Sequence, residues 1–280
     1  MNESFVRFES SGTELVGVIT RPEGRSRGAV LIVHPFGEEK KFAHRVLVST
    51  AWALAKAGFM TLRFDLSGCG DSFGSFRDAS ITEWVGDVKS AGEVLRRETG
   101  SPEATLLGLR LGATLCVLAA GEMDKLRSMV LWEPILSGRQ YMETLWRKKL
   151  IKEMMTSGRG RTSFDAARSE IERTGYIDLD GWDLGARMMD ELIAVDIRRS
   201  GPPCPCRTLA VQIAFNGKVS KELEDFARTT REAGGKVEPR GIRERAIWDR
   251  IDIVPATELI ESTVSWLSES SDSQVGNNAT

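Results

Sequence analysis

The chain lacks any long run of apolar residues, although 41% of its 280 residues are hydrophobic. No segment approaches the roughly 18–20 consecutive apolar residues that a membrane-spanning helix needs, so we expect no membrane span. The opening residues, MNESFVRFESSG, also lack the apolar stretch of a secretory signal peptide. The expected location is therefore the cytoplasm.

An excess of either charge is missing as well. The chain has 38 Lys and Arg against 40 Asp and Glu, a net charge of −2, and the two signs are interspersed along it. Proteins that bind nucleic acid concentrate Lys and Arg on one face. The charge distribution therefore argues against a nucleic-acid partner, and we expect a small-molecule ligand.

Cysteine is rare, and its spacing excludes the common zinc sites. The four cysteines are Cys69, Cys116, Cys204 and Cys206, with no Cys-x-x-Cys pair among them. We expect neither a metal nor another cofactor. Free thiols in a reducing compartment are the simplest interpretation.

Short apolar runs alternate with segments of helical periodicity. Residues 29–33, 59–64, 105–107 and 129–132 predict strands, and residues 81–98 predict one of the helices between them. This alternation favours a mainly parallel sheet with helices on both faces. An antiparallel hairpin around Ser11-Gly12 is predicted to precede it.

Three regions are expected along the chain. Residues 1–134 and 201–268 are predicted to form the core. Residues 135–200 break the alternation and are predicted to form a helical insert that lies over the carboxyl ends of the strands as a lid. Residues 269–280 are polar and are expected to be disordered.

The most informative stretch is TLLGLRLGATL at residues 105–115, in which Gly108 and Gly112 flank Arg110. Gly-x-x-x-Gly between a strand and a helix is the layout of the nucleophile elbow of α/β-hydrolases. We therefore predict an α/β-hydrolase fold with a helical lid insert. The central residue is Ser in an active serine hydrolase, whereas the Arg110 guanidinium is permanently protonated and cannot attack a carbonyl.

The other members of a Ser-His-Asp triad are missing too. In this fold the acid and the histidine follow the nucleophile along the chain. The two histidines, His34 and His44, both precede Arg110, and Trp248-Asp249 stands in the late region where the histidine belongs. The region of the acid, residues 216–220, contains no carboxylate. The sequence therefore predicts that the standard triad is absent.

Groups that could bind an anion remain. The oxyanion hole of this fold uses the backbone N–H after the nucleophile, here Leu111, and one after the third strand, here Phe36. Arg110 could hold a carboxylate or phosphate bidentately. Alternatively, Arg110 pairs with Glu133 or Asp65 and only braces the loop.

Further candidates have two interpretations each. His34 could act as a general base or could brace a loop through hydrogen bonds to the backbone. Glu133 follows a parallel strand at the ligand-binding edge and could be a catalytic acid or the partner of the elbow arginine. Cys69 would need an activating base to serve as a nucleophile. Asp65 and Asp71 are expected to fix turns.

Several motifs together resemble one family. They are His34-Pro35 with Glu38-Glu39, Asp65-Leu66 with Gly68-Cys69-Gly70-Asp71-Ser72, Asp78-Ala79 leading to Trp84, Gly108-Leu109-Arg110-Leu111-Gly112-Ala113, and Leu131-Trp132-Glu133-Pro134 with Ser137-Gly138-Arg139-Gln140. The stretch resembles the second of the two α/β-hydrolase-type proteins associated with the exosortase A system of bacteria. The resemblance covers residues 34–147.

This resemblance implies a link to exopolysaccharide production and the sorting of PEP-CTERM proteins, and it implies that Arg110 is a trait of the family. Glu133 departs from the family pattern, in which Gln is more frequent. Two functions stay open. One is a hydrolase or acyl-transfer enzyme acting on an acyl- or ester-bearing small molecule, and the other is a non-catalytic protein that binds a small molecule or an anion. The oligomeric state is left open.

Overall fold

The computed structural model describes residues 2–123, 125–157, 163–198, 206–249 and 254–275, which contain ten strands and eight α-helices. The strands are β1 (Asn2–Ser10), β2 (Thr13–Arg21), β3 (Gly28–Val33), β4 (Phe59–Phe64), β5 (Ala104–Leu109), β6 (Leu126–Trp132), β7 (Tyr176–Asp178), β8 (Asp183–Gly185), β9 (Arg207–Ala214) and β10 (Lys236–Arg243). The helices are α1 (Gly37–Lys56), α2 (Ile81–Thr99), α3 (Leu111–Ala120), α4 (Gly138–Ser157), α5 (Phe164–Thr174), α6 (Ala186–Ala194), α7 (Lys221–Glu232) and α8 (Thr257–Val275).

Eight of the strands form one sheet in the order β1-β2-β4-β3-β5-β6-β9-β10. Pairing is antiparallel between β1 and β2 and between β2 and β4, and parallel between all other neighbours. The carboxyl ends of β3, β5, β6 and β9 therefore meet at one edge of the sheet. The mainly parallel sheet confirms the predicted α/β-hydrolase fold class.

The sheet separates two apolar layers. β5 is buried along its whole length because it lies at the centre of the sheet and helices cover both faces. Trp84 of α2 belongs to one layer, and Trp132 of β6 and Trp266 of α8 belong to the other. The indole N–H of Trp132 donates to the Thr263 hydroxyl at 3.1 Å, so its one polar atom is satisfied inside the core.

The N-terminal hairpin forms where it was predicted. Ser11 and Gly12 both have positive φ, 49° and 85°, as a two-residue hairpin turn of type I′ requires. β2 also pairs with β4, so of the two hairpin strands only β1 lies at an edge of the sheet.

Helix α1 begins at Gly37, earlier than the predicted start near His44. The residues expected to form a charged loop are its first turns. Glu38 and Glu39 lie in the first turn, where the positive end of the helix dipole stabilises carboxylates. This earlier start places Glu39 beside the elbow.

The insert contains helices α4, α5 and α6 and also a two-stranded sheet, β7 with β8, that the sequence did not predict. The insert is packed against the core. The Arg77 guanidinium lies 3.8 Å from the Tyr176 ring centroid, and the rings of Phe76 and Trp182 are 4.8 Å apart. The prediction that residues 135–200 form a separate lid domain stays a prediction.

Helix α8 extends to Val275, past the predicted end near Leu267 and into the tail that was expected to be disordered. Residues 276–280 and Cys204 lie outside the described residues, whereas Cys69, Cys116 and Cys206 are buried. Within the ranges given above, no helix combines the length and apolarity needed to cross a membrane.

Candidate functional site

The turn between β5 and α3, from Leu109 to Leu111, has the backbone of a nucleophile elbow. Arg110 has φ 55° and ψ −120°, a conformation that a residue with a side chain adopts at a cost of about 1–3 kcal/mol. A Cβ at Gly108 would lie 2.4 Å from the Ala113 nitrogen, and a Cβ at Gly112 would lie 2.4 Å from the Val33 carbonyl oxygen. Both positions therefore require glycine, and the elbow forms with arginine at its centre.

The carboxylate partner of Arg110 is Glu39, which the sequence did not indicate. Nε and Nη2 of Arg110 each lie 3.4 Å from Oε1 of Glu39. Only 15% of the arginine side chain and 10% of the glutamate side chain are exposed, so the pair is largely shielded from water. Asp65 pairs instead with Lys40 at 2.6 Å.

Two aromatic rings contact the same guanidinium. The Arg110 Cζ atom is 4.8 Å from the Trp248 ring centroid and 5.4 Å from the Tyr141 ring centroid. These distances suit cation–π attraction. Trp248 thus lies at the elbow, in the region of the chain where the histidine of a triad belongs. The sequence places Trp248 in that region but does not indicate its contact with Arg110, and it contains no signal for Tyr141 at this site.

Burial and pairing set the charges of this cluster. Burial alone would lower the pKa of Arg110, but the Glu39 carboxylate outweighs that effect and the pKa is raised, so the arginine stays protonated. Burial raises the pKa of Glu39, and the arginine opposes the shift. The pKa of Tyr141 is raised well above its ordinary value by burial and then by Glu39, so its hydroxyl is neutral.

A cavity of about 340 Å³ opens beside the guanidinium. Glu39 accepts one hydrogen bond from Nε and one from Nη2 of Arg110. The other N–H groups of the guanidinium have no acceptor among the described residues. Polar side chains that share the cavity wall with Arg110 include Glu133, Ser137, Gln140, Gln212 and Glu222. The cavity therefore combines an available cation with several hydrogen-bonding groups.

Glu133 contributes to this cavity but does not pair with Arg110. Its Oε1 accepts from Gln212 Nε2 at 2.6 Å, and its Oε2 accepts from the Ile213 backbone N–H at 2.7 Å. Its φ of 48° is unusual for a residue with a side chain. Burial raises the pKa of Glu133, and these hydrogen bonds and the positive charge of Arg110 oppose the shift.

His34 has both ring nitrogens engaged by the backbone. Nδ1 lies 2.8 Å from the Pro35 carbonyl oxygen, and the Leu66 N–H donates to Nε2 at 3.2 Å. Burial lowers the pKa of His34 to about 4, and the positive charge of Lys40 adds to this effect. The ring is therefore neutral near pH 7 and joins the loops after β3 and β4, as the bracing interpretation expects.

The loop after β4 is organised around Asp65. Its Oδ2 accepts from the Asp71 backbone N–H at 2.9 Å. A Cβ at Gly70 would lie 1.9 Å from that carboxylate oxygen, so the turn closes tightly over Asp65. Cys69 in the same loop is 2% exposed, and burial raises its pKa to about 12. At neutral pH it is a protonated thiol and not a nucleophilic thiolate.

The two predicted oxyanion donors have no acceptor within the described part of the chain. No hydrogen bond from the N–H of Phe36 or of Leu111 is made there. The Phe36 ring packs against Tyr141 at 6.2 Å and Trp84 at 6.1 Å, which anchors the segment after β3. A role for these two N–H groups in binding an oxyanion stays a prediction.

The described ranges contain no cluster of metal-ligating side chains. Nowhere in them do three His, Cys, Asp or Glu side chains come together as a group that could hold a metal ion.

Solved structures share this fold along nearly the whole chain. Est1E from Butyrivibrio proteoclasticus, with ferulic acid bound, is 16% identical, with a TM-score of 0.66 and coverage of 97% of this chain and 99% of that chain. A proline iminopeptidase from Mycobacterium smegmatis is 14% identical, with a TM-score of 0.63 and coverage of 97% and 100%. A highly thermostable carboxyl esterase from Bacillus coagulans, in complex with glycerol, is 15% identical, with a TM-score of 0.64 and coverage of 97% and 99%. At these identities the similarity shows the fold alone.

No curated protein sequence matches the chain significantly. The family described as serine aminopeptidase, S33 matches residues 24–169, which is slightly more than half of the chain and includes the elbow. This protein therefore belongs to the serine aminopeptidase S33 family of the α/β-hydrolase superfamily.

Proposed function

We propose that this protein binds a small carboxylate- or ester-bearing molecule in the cavity beside Arg110 and does not hydrolyse it through a serine nucleophile. The observation that carries the proposal is the position of Arg110. A protonated guanidinium stands at the centre of the elbow, Arg110 lines the cavity, and some of its N–H groups have no acceptor among the described residues. Carboxylate oxygens are the acceptors that a guanidinium binds most strongly.

The size and lining of the cavity support this choice. Its volume of about 340 Å³ lies at the lower end of the range typical of small-molecule sites. Ser137, Gln140 and Gln212 add hydroxyl and amide groups that can orient a polar ligand. Ferulic acid, which is bound in the Est1E structure, is a ligand of the size and charge proposed here.

The biological setting is proposed from the motifs of residues 34–147. We infer an association with the exosortase A system and with exopolysaccharide production, so that the ligand would derive from an envelope polysaccharide or its acyl substituents. Deleting the gene should then alter exopolysaccharide yield or acylation, and an unchanged polysaccharide would argue against this association.

A second candidate is a hydrolase or acyl-transfer enzyme with an unusual site. The N–H groups of Phe36 and Leu111, which have no acceptor in the described part of the chain, favour it because they suit a developing oxyanion. In this mechanism Arg110 would stabilise charge, and His34 or Glu133 would transfer a proton. His34 would first have to release Pro35 or Leu66, since both ring nitrogens are engaged.

Two measurements on the intact chain separate these functions. Calorimetric titration with ferulate and with a series of short carboxylates is expected to detect binding, and Arg110→Ala should weaken it by roughly 2 kcal/mol. Fluorophosphonate labelling and turnover of p-nitrophenyl esters are expected to be absent. Unchanged affinity of Arg110→Ala would overturn the binding site, and labelling with turnover would show that a serine is activated.

A further inference from the structure

The two edges of the main sheet differ in how well they are protected from pairing with another strand. β10, at one edge, contains Pro239, which has no N–H to donate, and Gly241. β1, at the other edge, is nine residues long and contains neither residue type. Its pairing with β2 is regular from Asn2 to Ser10. A long, regular edge strand without proline is a template for a further strand.

The register of the hairpin determines which backbone groups of β1 face outward. The two-residue turn closes on the pair Ser10 and Thr13, and a turn of this length closes on a hydrogen-bonded pair. Every second residue from Ser10 then bonds to β2. The N–H and C=O groups of Glu3, Phe5 and Arg7 therefore face away from the sheet, and no described residue bonds to them.

The side chains of Glu3, Phe5 and Arg7 lie on one face of the sheet. Glu3 is negatively charged and Arg7 is positively charged. Glu3 and Arg7 stand two residues to either side of Phe5, which is 83% exposed. We propose that β1 pairs antiparallel with β1 of a second copy of this chain, about a two-fold axis at Phe5. Glu3 of each copy then lies opposite Arg7 of the other, and the two Phe5 rings contact each other.

The charge pattern selects this register over its neighbours. A two-fold axis at Val6 would place Glu3 opposite Glu9 at both ends, and like charges directly opposite destabilise a strand pair. An axis at Ser4 would pair only residues 2–6 and form no ion pair. A shift of the register by one residue would place the Glu3 and Arg7 side chains of the two copies on opposite faces of the joined sheet. Only the axis at Phe5 joins opposite charges.

Glu3 and Arg7 each have a side-chain atom that can form an ion pair with the partner copy. Glu3 uses Oε1 for Arg63, Thr20 and Trp52, and its Oε2 has no partner among the described residues. Arg7 uses Nη1 for Glu14, and that pair is exposed. The intermolecular pairs can therefore form without breaking the internal ones.

Sedimentation velocity of the full chain over a wide concentration range tests the proposal. The unmodified protein is expected to show a monomer–dimer equilibrium. Glu3→Arg and Arg7→Glu should each weaken association by about tenfold, because either change places like charges opposite each other. A mixture of the two variants should associate again, since the side chains that face each other across the two-fold axis then have opposite charges. Lys236→Glu, on the β10 edge, should behave as the unmodified protein does.

Disulfide trapping tests the register. Phe5→Cys is expected to cross-link two copies under mild oxidation, since opposed residues of a hydrogen-bonded pair have Cα atoms about 5.5 Å apart, within the range of a disulfide. Val6→Cys should cross-link far less, and the unmodified protein supplies the background. The proposal would be overturned if the protein were monomeric at every concentration or if neither charge reversal changed its association. Preferential cross-linking of Val6→Cys would also overturn it.

Discussion

The guanidinium of Arg110 lies 4.8 Å from the indole ring of Trp248. The first residue stands at the elbow of an α/β-hydrolase fold, and the second comes from the region after the last strand of the sheet, where a triad histidine belongs. Two side chains that cannot perform acyl-transfer chemistry by themselves therefore meet where a nucleophile and its base would meet. Glu39 pairs with the same guanidinium at 3.4 Å, so a cation, a carboxylate and an aromatic ring meet at the elbow.

The buried pair Arg110–Glu39 should show strong energetic coupling. Arg110→Met or Glu39→Gln leaves the other residue buried without its partner, and each change is expected to lower the free energy of unfolding by about 3 kcal/mol. The double variant should lose much less free energy of unfolding than the sum of the two single losses, because neither buried charge is then left unpaired. Urea denaturation measures the free energy of unfolding of the unmodified protein, the two single variants and the double variant. Glu172→Gln is a matched control, since its pair with Arg168 is exposed and should change stability by less than about 0.5 kcal/mol.

Restoring the serine alone should not restore hydrolase chemistry. Arg110→Ser supplies a hydroxyl at the elbow, but no histidine is available to accept its proton, since His34 is held by the backbone at both nitrogens. Fluorophosphonate labelling of this variant is expected to stay at background. Adding Trp248→His places a base in contact with the elbow and should raise the labelling rate. Rapid labelling of Arg110→Ser by itself would contradict this account of the site.

His34 should make the protein less stable in acid. Its pKa in the folded protein is about 4, below the ordinary value of 6.5, so the unfolded chain binds the proton more readily. Stability should therefore be complete above pH 6.5 and should fall as the pH drops towards 4, by about 3 kcal/mol in total. Chemical denaturation at several pH values measures the slope of the free energy of unfolding against pH. In His34→Asn the slope over that window should be shallower, and an identical slope would contradict the assignment.

Gly112 should tolerate no side chain. A Cβ there would lie 2.4 Å from the Val33 carbonyl oxygen, so Gly112→Ala must push α3 away from β3. We expect a loss of roughly 2–3 kcal/mol in thermal or chemical denaturation, as for an overpacked core position. Gly86→Ala is the matched control. Its Cβ would meet only the Ser11 hydroxyl at 3.8 Å, and in the middle of α2 it should stabilise the helix by about 0.5–1 kcal/mol.

The strands and the elbow could be predicted from the sequence alone, and the sequence also predicts that the standard triad is absent. Runs such as residues 29–33 are apolar because strands buried on both faces need apolar side chains, and this signal is local. Gly108 and Gly112 identify the elbow because a Cβ at Gly108 would clash with the first turn of α3 and a Cβ at Gly112 would clash with the end of β3. The order of residues along the chain suffices to show that no histidine follows Arg110.

Only the tertiary structure decided which partners Arg110 has. Glu133, Asp65 and Glu39 are all carboxylates near strand ends, and an ion pair depends on a few ångströms of separation that sequence spacing does not define. The early start of α1 brings Glu39 to Arg110, whereas backbone and amide hydrogen bonds hold Glu133 away. The sequence determined the framework through local packing rules, and the folded chain determined the charges of the site because distant segments meet there.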